Sequence, residues 1–161
     1  MICGFTGHRP EKLPWGANEN APECAELKRR LKQAIADAAA DGCDTFLCGM
    51  ARGCDLYFAE AVVALKGEGL PIRLEALLPC PEQADRWSLK DRRRYEQLLL
   101  ECDGVYILEP QYSEGCMLRR NRAMVARCRK LISVWDGSRG GTGATVRCAL
   151  SRGVCVTALW R

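Results

Sequence analysis

Three times in this chain an apolar run stops at a glycine and a helix-like segment follows: at Gly4 to Gly7, Gly49 to Gly53 and Gly137 to Gly143. In an open α/β sheet, the loops leaving the carboxyl ends of parallel strands gather along one edge, and that edge is where such folds bind ligands. Glycine lets the main chain approach a ligand closely and take positive φ, so successive N–H groups can face a phosphate. The three junctions therefore predict one shared pocket, with a phosphorylated small molecule as its ligand.

The sequence between the junctions alternates strands and helices. Met1 to Thr6 reads as the first strand. Pro22 suits a first helical turn, with Glu23 and Glu26 near the positive end of the dipole. Leu27, Leu31, Ala34, Ile35 and Ala38 form one helical face, and Gly42 supplies the stop. Thr45 to Cys48 is a strand, followed by a helix from near Asp55 to Gly67. Ile72 to Leu78 is a strand closed by Pro79 and Pro81. Ser88 and Asp91 have the spacing of a capping box for a helix to about Glu101. Gly104 to Leu108 is a strand, Met117 to Cys128 a helix, Leu131 to Trp135 a strand; a helix follows Gly143, and Val154 to Leu159 is the last strand. This order predicts a parallel sheet of six strands with helices on both faces.

The 161 residues, 48% of them apolar, suffice for the core of a single domain spanning 1–161. A net charge of +4 against 24 basic and 20 acidic residues argues against a nucleic-acid-coating polycation. The first eight residues hold no charged leader with a long apolar stretch, and no later run is long enough to span a bilayer, so a cytoplasmic protein without membrane insertion is expected. Eleven cysteines would suit a secreted disulfide scaffold, but an odd count, no leader and a sizeable core favour reduced thiols. Cys3, Cys48, Cys102 and Cys155 lie in or beside apolar runs and read as small hydrophobes, while Cys54 and Cys116 lie beside the pocket loops. No Cys-x-x-Cys pair occurs and His8 is the sole histidine, so no metal site is expected.

The last glycine loop, Asp136 to Thr145, joins a strand to a helix N-terminus, where free N–H groups and the dipole favour an anion. It lacks the lysine of a P-loop, and Val146 stands at the third glycine of the dinucleotide fingerprint, so ATP hydrolysis is not expected. Thr142 and Thr145 offer either hydroxyl contacts or a helix cap. Gly49-Met50-Ala51-Arg52-Gly53-Cys54-Asp55 repeats the arrangement one strand earlier in the sheet. There Arg52 can pair with phosphate, and Asp55 either accepts from a ribose hydroxyl or caps the helix. His8 has no nucleophile partner and reads as a ligand contact or a satisfied histidine. Asn121 interrupts the apolar stripe Met117, Met124 and Cys128 and needs a partner, whereas Arg119, Arg120 and Arg122 read as a solvated basic face. Trp135, beside Asp136, either stacks on a base or closes the core; Trp87 and Tyr95 read as packing residues.

Gly7-His8-Arg9-Pro10, Gly49 to Asp55, Tyr112 to Val125 with Arg120-Asn121, and Val134 to Thr142 together resemble the YpsA/YoqJ-like family of the SLOG superfamily over nearly the whole chain. The resemblance implies a three-layer Rossmann-like fold, mostly parallel, related to DprA/Smf and LOG (lysine-decarboxylase-like) proteins. It also implies binding or sensing of a nucleotide-derived ligand, such as a nucleotide, ADP-ribose or an NAD-like molecule, with no required cofactor, and it suggests self-association. The pocket residues it implies, with those read directly from the loops, are Gly7, His8, Arg9, Gly49, Arg52, Gly53, Asp55, Asn121, Asp136, Gly140, Gly141, Thr142 and Gly143.

Two relatives supply rival functions. LOG enzymes split nucleoside monophosphates with a Pro-Gly-Gly-x-Gly-Thr-x-x-Glu motif; here Gly140, Gly141 and Gly143 fit, but Arg139, Ala144 and Arg147 replace its proline, threonine and glutamate. DprA-like proteins bind single-stranded DNA, and Ala51-Arg52-Gly53-x-Asp55 and Arg120-Asn121-Arg122 resemble their segments. Their binding relies on a basic surface that a charge of +4 does not supply. The ranking is ligand binding first, single-strand binding second, hydrolysis third.

Overall fold

A computed structural model describes residues 1–160. The strands are β1 (Ile2–Gly7), β2 (Thr45–Cys48), β3 (Arg73–Leu78), β4 (Gly104–Ile107), β5 (Lys130–Val134) and β6 (Cys155–Ala158). They form one sheet in the order β4-β3-β2-β1-β5-β6, every neighbouring pair parallel. The helices are α1 (Pro22–Ala40), α2 (Cys54–Gly67), α3 (Leu89–Glu101), α4 (Cys116–Arg127) and α5 (Gly141–Ser151). This is the α/β Rossmann-like architecture expected from the alternation.

Parallel strands require crossovers of one hand, so reversing the direction of travel along the sheet moves the helices to the other face. From β1 the chain steps outward to β4, with α1, α2 and α3 packing together on one face. It then returns along α4 to β5, on the far side of β1, and α4 and α5 cover the second face. The order corrects one sequence expectation: β2 and β5 lie on opposite sides of β1, so the two glycine loops flank the β1 loop. Phe5 of β1 stacks at 4.6 Å on Phe58 of α2, with Phe46 beside them.

Local signals place the element ends. Pro22 opens α1, whose buried face holds the predicted five residues and Cys24; the chain turns at Gly42, φ +103°. Ser88 caps α3 by accepting the Asp91 N–H at 3.2 Å. Trp87 and Tyr95 pack edge to face. Two findings differ from expectation. Helix α5 begins at Gly141 rather than after Gly143, so half of the glycine run is first helical turn. An apolar strip not evident in the sequence, Val105 to Leu108, lies exposed along the edge strand β4.

All eleven cysteines are free thiols. Cys54 and Cys116 are buried, but Cys155 is exposed and Cys102 only partly covered, because β6 is an edge strand and Cys102 ends α3. Burial pushes the Cys128 thiol up to about 12 and Cys102 to about 11, leaving them poor nucleophiles at neutral pH. Among the described residues, no helix is long and apolar enough to cross a membrane.

Candidate functional site

Because the chain leaves β1 and β5 toward opposite faces, a crevice opens between their carboxyl ends, as at the switch points of other open α/β sheets. His8, at the end of β1, is fixed by its own main chain: its N–H donates to Val134 O of β5 at 3.2 Å and its carbonyl accepts from Cys54 N of α2 at 3.1 Å. Gly53, φ +84°, permits that approach, since a Cβ there would sit 2.8 Å from the His8 carbonyl. The imidazole is buried and its Nε2 lies 2.8 Å from Asp136 Oδ1. Hydrogen bonds from Ser138, and then from His8, hold the Asp136 carboxyl well below the usual range. The same Nε2 lies 3.1 Å from the Asp136 main-chain N–H, so side chain and main chain of Asp136 both hold the ring.

The crevice encloses about 700 Å³, within the range of small-molecule sites. One wall is the start of α5. Gly140, φ +144°, precedes the helix, with no side-chain cap and no acidic residue in the first turn, so the leading N–H groups face outward unneutralised. Beneath the loop, Trp135 Nε1 donates to Ser138 O at 2.8 Å, and Gly143 packs so close to the indole that a Cβ would lie 2.9 Å from Cζ2. The tryptophan thus closes the loop from inside. Thr145 neither caps nor faces ligand: its hydroxyl donates back to Gly141 O at 2.8 Å.

The lysine missing from the glycine run arrives from elsewhere. A 3-10 turn at Pro10–Lys12 follows β1, and Lys12 Nζ donates to Ser138 Oγ at 3.2 Å and Arg139 O at 2.5 Å beside Gly140. The preceding Glu11 pairs with Arg52 at 2.5 Å on the opposite wall.

That wall is the Gly49 to Asp55 loop, in which Met50 takes a left-handed φ of +60°. Arg120, 3% exposed, fills the space behind it. Its Nη1 donates to Gly49 O at 2.5 Å and its Nε to Asn121 Oδ1 at 2.7 Å. Any Cβ at Gly49 would be driven into the guanidinium. Gln83 Nε2 completes the clamp on Gly49 O at 3.1 Å. Burial lowers the Arg120 pKa and Asp55 opposes the change; the guanidinium stays charged. Asp55 accepts Ala51 N–H at 3.0 Å, so its carboxylate braces the loop and no cap bond forms at α2.

Burial pushes the Asp55 carboxyl up to about 6, against the lowering effects of Arg120, the Ala51 N–H and Arg9. An acid raised in the native state binds more protons folded than unfolded. Its contribution to stability therefore falls as pH rises from about 4 to about 6 and is level above. Denaturant unfolding of the wild type across that window is expected to show this decline, and Asp55→Asn is expected to flatten it.

Of the residues expected at the site, Gly7, His8, Arg9, Arg52, Asp55, Asn121, Gly140, Gly141 and Thr142 line the crevice. Gly49, Gly53, Asp136 and Gly143 lie behind it and hold the lining in place. Sequence reasoning overlooked Glu11, Lys12 and Gln83 and assigned Arg120 to a solvated face. The buried stripe of α4 is Cys116, Arg120 and Met124, at spacings of four, while Met117 and Asn121 face the crevice. Arg147 is not in the lining; it lies over the Trp135 ring at 6.0 Å and borders a groove between α4 and α5.

The family model YpsA, described as the YspA SLOG family, matches residues 3–149. Among curated proteins, a UPF0398 protein of Bacillus pumilus is 24% identical over 143 residues, 88% of this chain and 76% of the relative. One of Halalkalibacterium halodurans is 29% identical, over 88% and 75% of the two chains. Among solved structures, DNA processing protein A of Helicobacter pylori superposes with a TM-score of 0.66 at 17% identity, covering 100% of this chain and 66% of that one. DNA processing protein A of Streptococcus pneumoniae gives 0.65 at 17% identity, covering 98% and 49%. The chain therefore spans about two thirds and one half of those proteins, and the likeness is one of fold. With the family model matching nearly its full length, the chain belongs to the YpsA family of SLOG proteins.

Proposed function

We propose that the protein binds a nucleotide or nucleotide-derived phosphorylated ligand in the crevice between β1 and β5. The observation that carries this reading is the convergence of an uncapped α5 N-terminus, the Lys12 ammonium and the Arg9 and Arg52 guanidinium groups on one cavity. Unneutralised N–H dipoles and cationic side chains around a partly enclosed space are complementary to phosphate. Asn121 and Asp55, also in the lining, suit the hydroxyl groups of a ribose. The pocket, single-domain organisation and cytoplasmic role belong to the same proposal, as does self-association.

Mass spectrometry of small molecules released from the purified protein, followed by calorimetry with AMP, ADP-ribose and NAD, tests it. Saturable one-site binding is expected; failure of all three, with no molecule released, contradicts the reading.

DNA processing protein A of Helicobacter pylori binds single-stranded DNA, which makes strand binding the second reading. Here the cations are gathered around a cavity, and a net charge of +4 supplies no long basic track. Oligonucleotide binding is expected to be weak and to vanish at physiological salt; submicromolar affinity there would reverse the ranking.

Hydrolysis ranks third. Cleaving a glycosidic bond requires a group that activates water or stabilises developing positive charge. Arg147, at the position of the LOG glutamate, is cationic and outside the crevice lining. Release of adenine from AMP is expected not to exceed background when products are resolved by chromatography. Multiple turnovers would implicate Asp55 or Asp136.

A further inference from the structure

The 3-10 turn that follows β1 bridges the two walls of the crevice by opposite charges on adjacent residues. Lys12 reaches Ser138 and Arg139 of the glycine loop, and Glu11 reaches Arg52 of the β2 loop. The two contacts differ in kind. Lys12 is held by a hydroxyl and a carbonyl, so its positive charge has no counter-ion there and remains available to an anion. Arg52 is already matched by a carboxylate, which occupies the position an anionic ligand group would take.

That carboxylate is weakly committed. Glu11 is 60% exposed, and an ion pair so open to water contributes little to stability. Arg52, at 28% exposure, is the more anchored partner. A phosphate carries more charge and more acceptor oxygens than a carboxylate and fits the guanidinium fork at least as well. The lining carries four cationic side chains against two carboxylates, Glu11 and Asp55, and Asp55 is engaged by the Ala51 N–H.

Resting on the nucleotide reading, we propose that Glu11 is an internal stand-in for a second phosphate. One phosphate of the ligand takes the α5 N-terminus with Lys12, the next displaces Glu11 from Arg52, and the site thereby selects diphosphate-bearing nucleotides over monophosphates. Glu11 sets the threshold. A monophosphate satisfies only one wall and leaves the Glu11–Arg52 pair closed, whereas a diphosphate exchanges that pair for a stronger one.

Calorimetry with inorganic phosphate, pyrophosphate, AMP and ADP-ribose provides the test. Pyrophosphate and ADP-ribose are expected to bind about tenfold or more tightly than phosphate and AMP respectively. Glu11→Gln is expected to tighten ADP-ribose by about twofold to fivefold, the scale of an exposed pair, and to tighten AMP by less. Arg52→Ala is expected to remove the ADP-ribose advantage, and Glu11→Gln is expected to have no effect in that background. Equal affinity for AMP and ADP-ribose, or an unchanged or weakened ADP-ribose complex in Glu11→Gln, overturns the two-phosphate site while AMP binding preserves the nucleotide reading. If AMP, ADP-ribose and pyrophosphate all fail to bind, both readings fall together.

Discussion

Replacing Arg120 with leucine is expected to destabilise the protein by about 3–5 kcal/mol, the range seen when one member of a buried charged network is removed. The guanidinium holds Gly49 O and Asn121 Oδ1 and supplies the positive charge that tempers the buried Asp55. Leucine fills most of the volume but leaves the Gly49 carbonyl with Gln83 alone and Asp55 facing a less favourable field. Arg120→Lys keeps the charge without the planar fork and is expected to lose about 1–3 kcal/mol. Midpoints of urea unfolding for the three proteins check the order. A leucine variant within 1 kcal/mol of the wild type, roughly the size of a surface substitution, would show that the clamp is dispensable.

The same residue marks the boundary of what could be read from the sequence. Pro22, Ser88 and the glycine loops were legible because they act on the chain within a turn of themselves: a fixed φ, a hydroxyl reaching the third residue on, a left-handed junction. Arg120 was not, since its burial depends on α4 crossing back over β1 to β3, and that crossing is a property of sheet order. Arg119, Arg120 and Arg122 look alike in sequence; only the spacing of four to Cys116 and Met124 distinguishes the buried one. Lys12 illustrates the same point from the other side. The glycine loop lacks a lysine of its own, and the one it uses lies more than a hundred residues away, brought close because β1 and β5 are neighbours. Arg147, assigned weight through the LOG motif, is turned toward Trp135 by its place on α5.

Gly141→Asp is the substitution expected to change binding most. No atom lies within 4 Å of a Cβ built at Gly141, so the side chain fits without displacing its neighbours. An acidic residue in the first turn of α5 is also favourable to the helix, and stability is expected to be unchanged or slightly raised. Toward a phosphate at the same N–H groups, the effect is repulsive. Two unit charges 4 Å apart interact by about 4 kcal/mol at an effective dielectric of ~20, so a loss of about a hundredfold or more is expected after solvent screening. Calorimetry against AMP, with an unfolding curve on the same sample, separates lost binding from lost fold. Wild-type affinity in the folded variant would remove this loop from the site.

The central claim is that a phosphate sits between the β1 and β5 loops, and amide-resolved NMR during an AMP titration tests it most directly. Saturable shifts are expected at the main-chain N–H groups of Gly141, Thr142 and Gly143 and at His8 and Arg9. Amides near Asp37 on α1 serve as a control and should stay fixed, and Gly141→Asp should abolish the response. Shifts centred on α1, or none at the α5 N-terminus while AMP binds, would contradict the account.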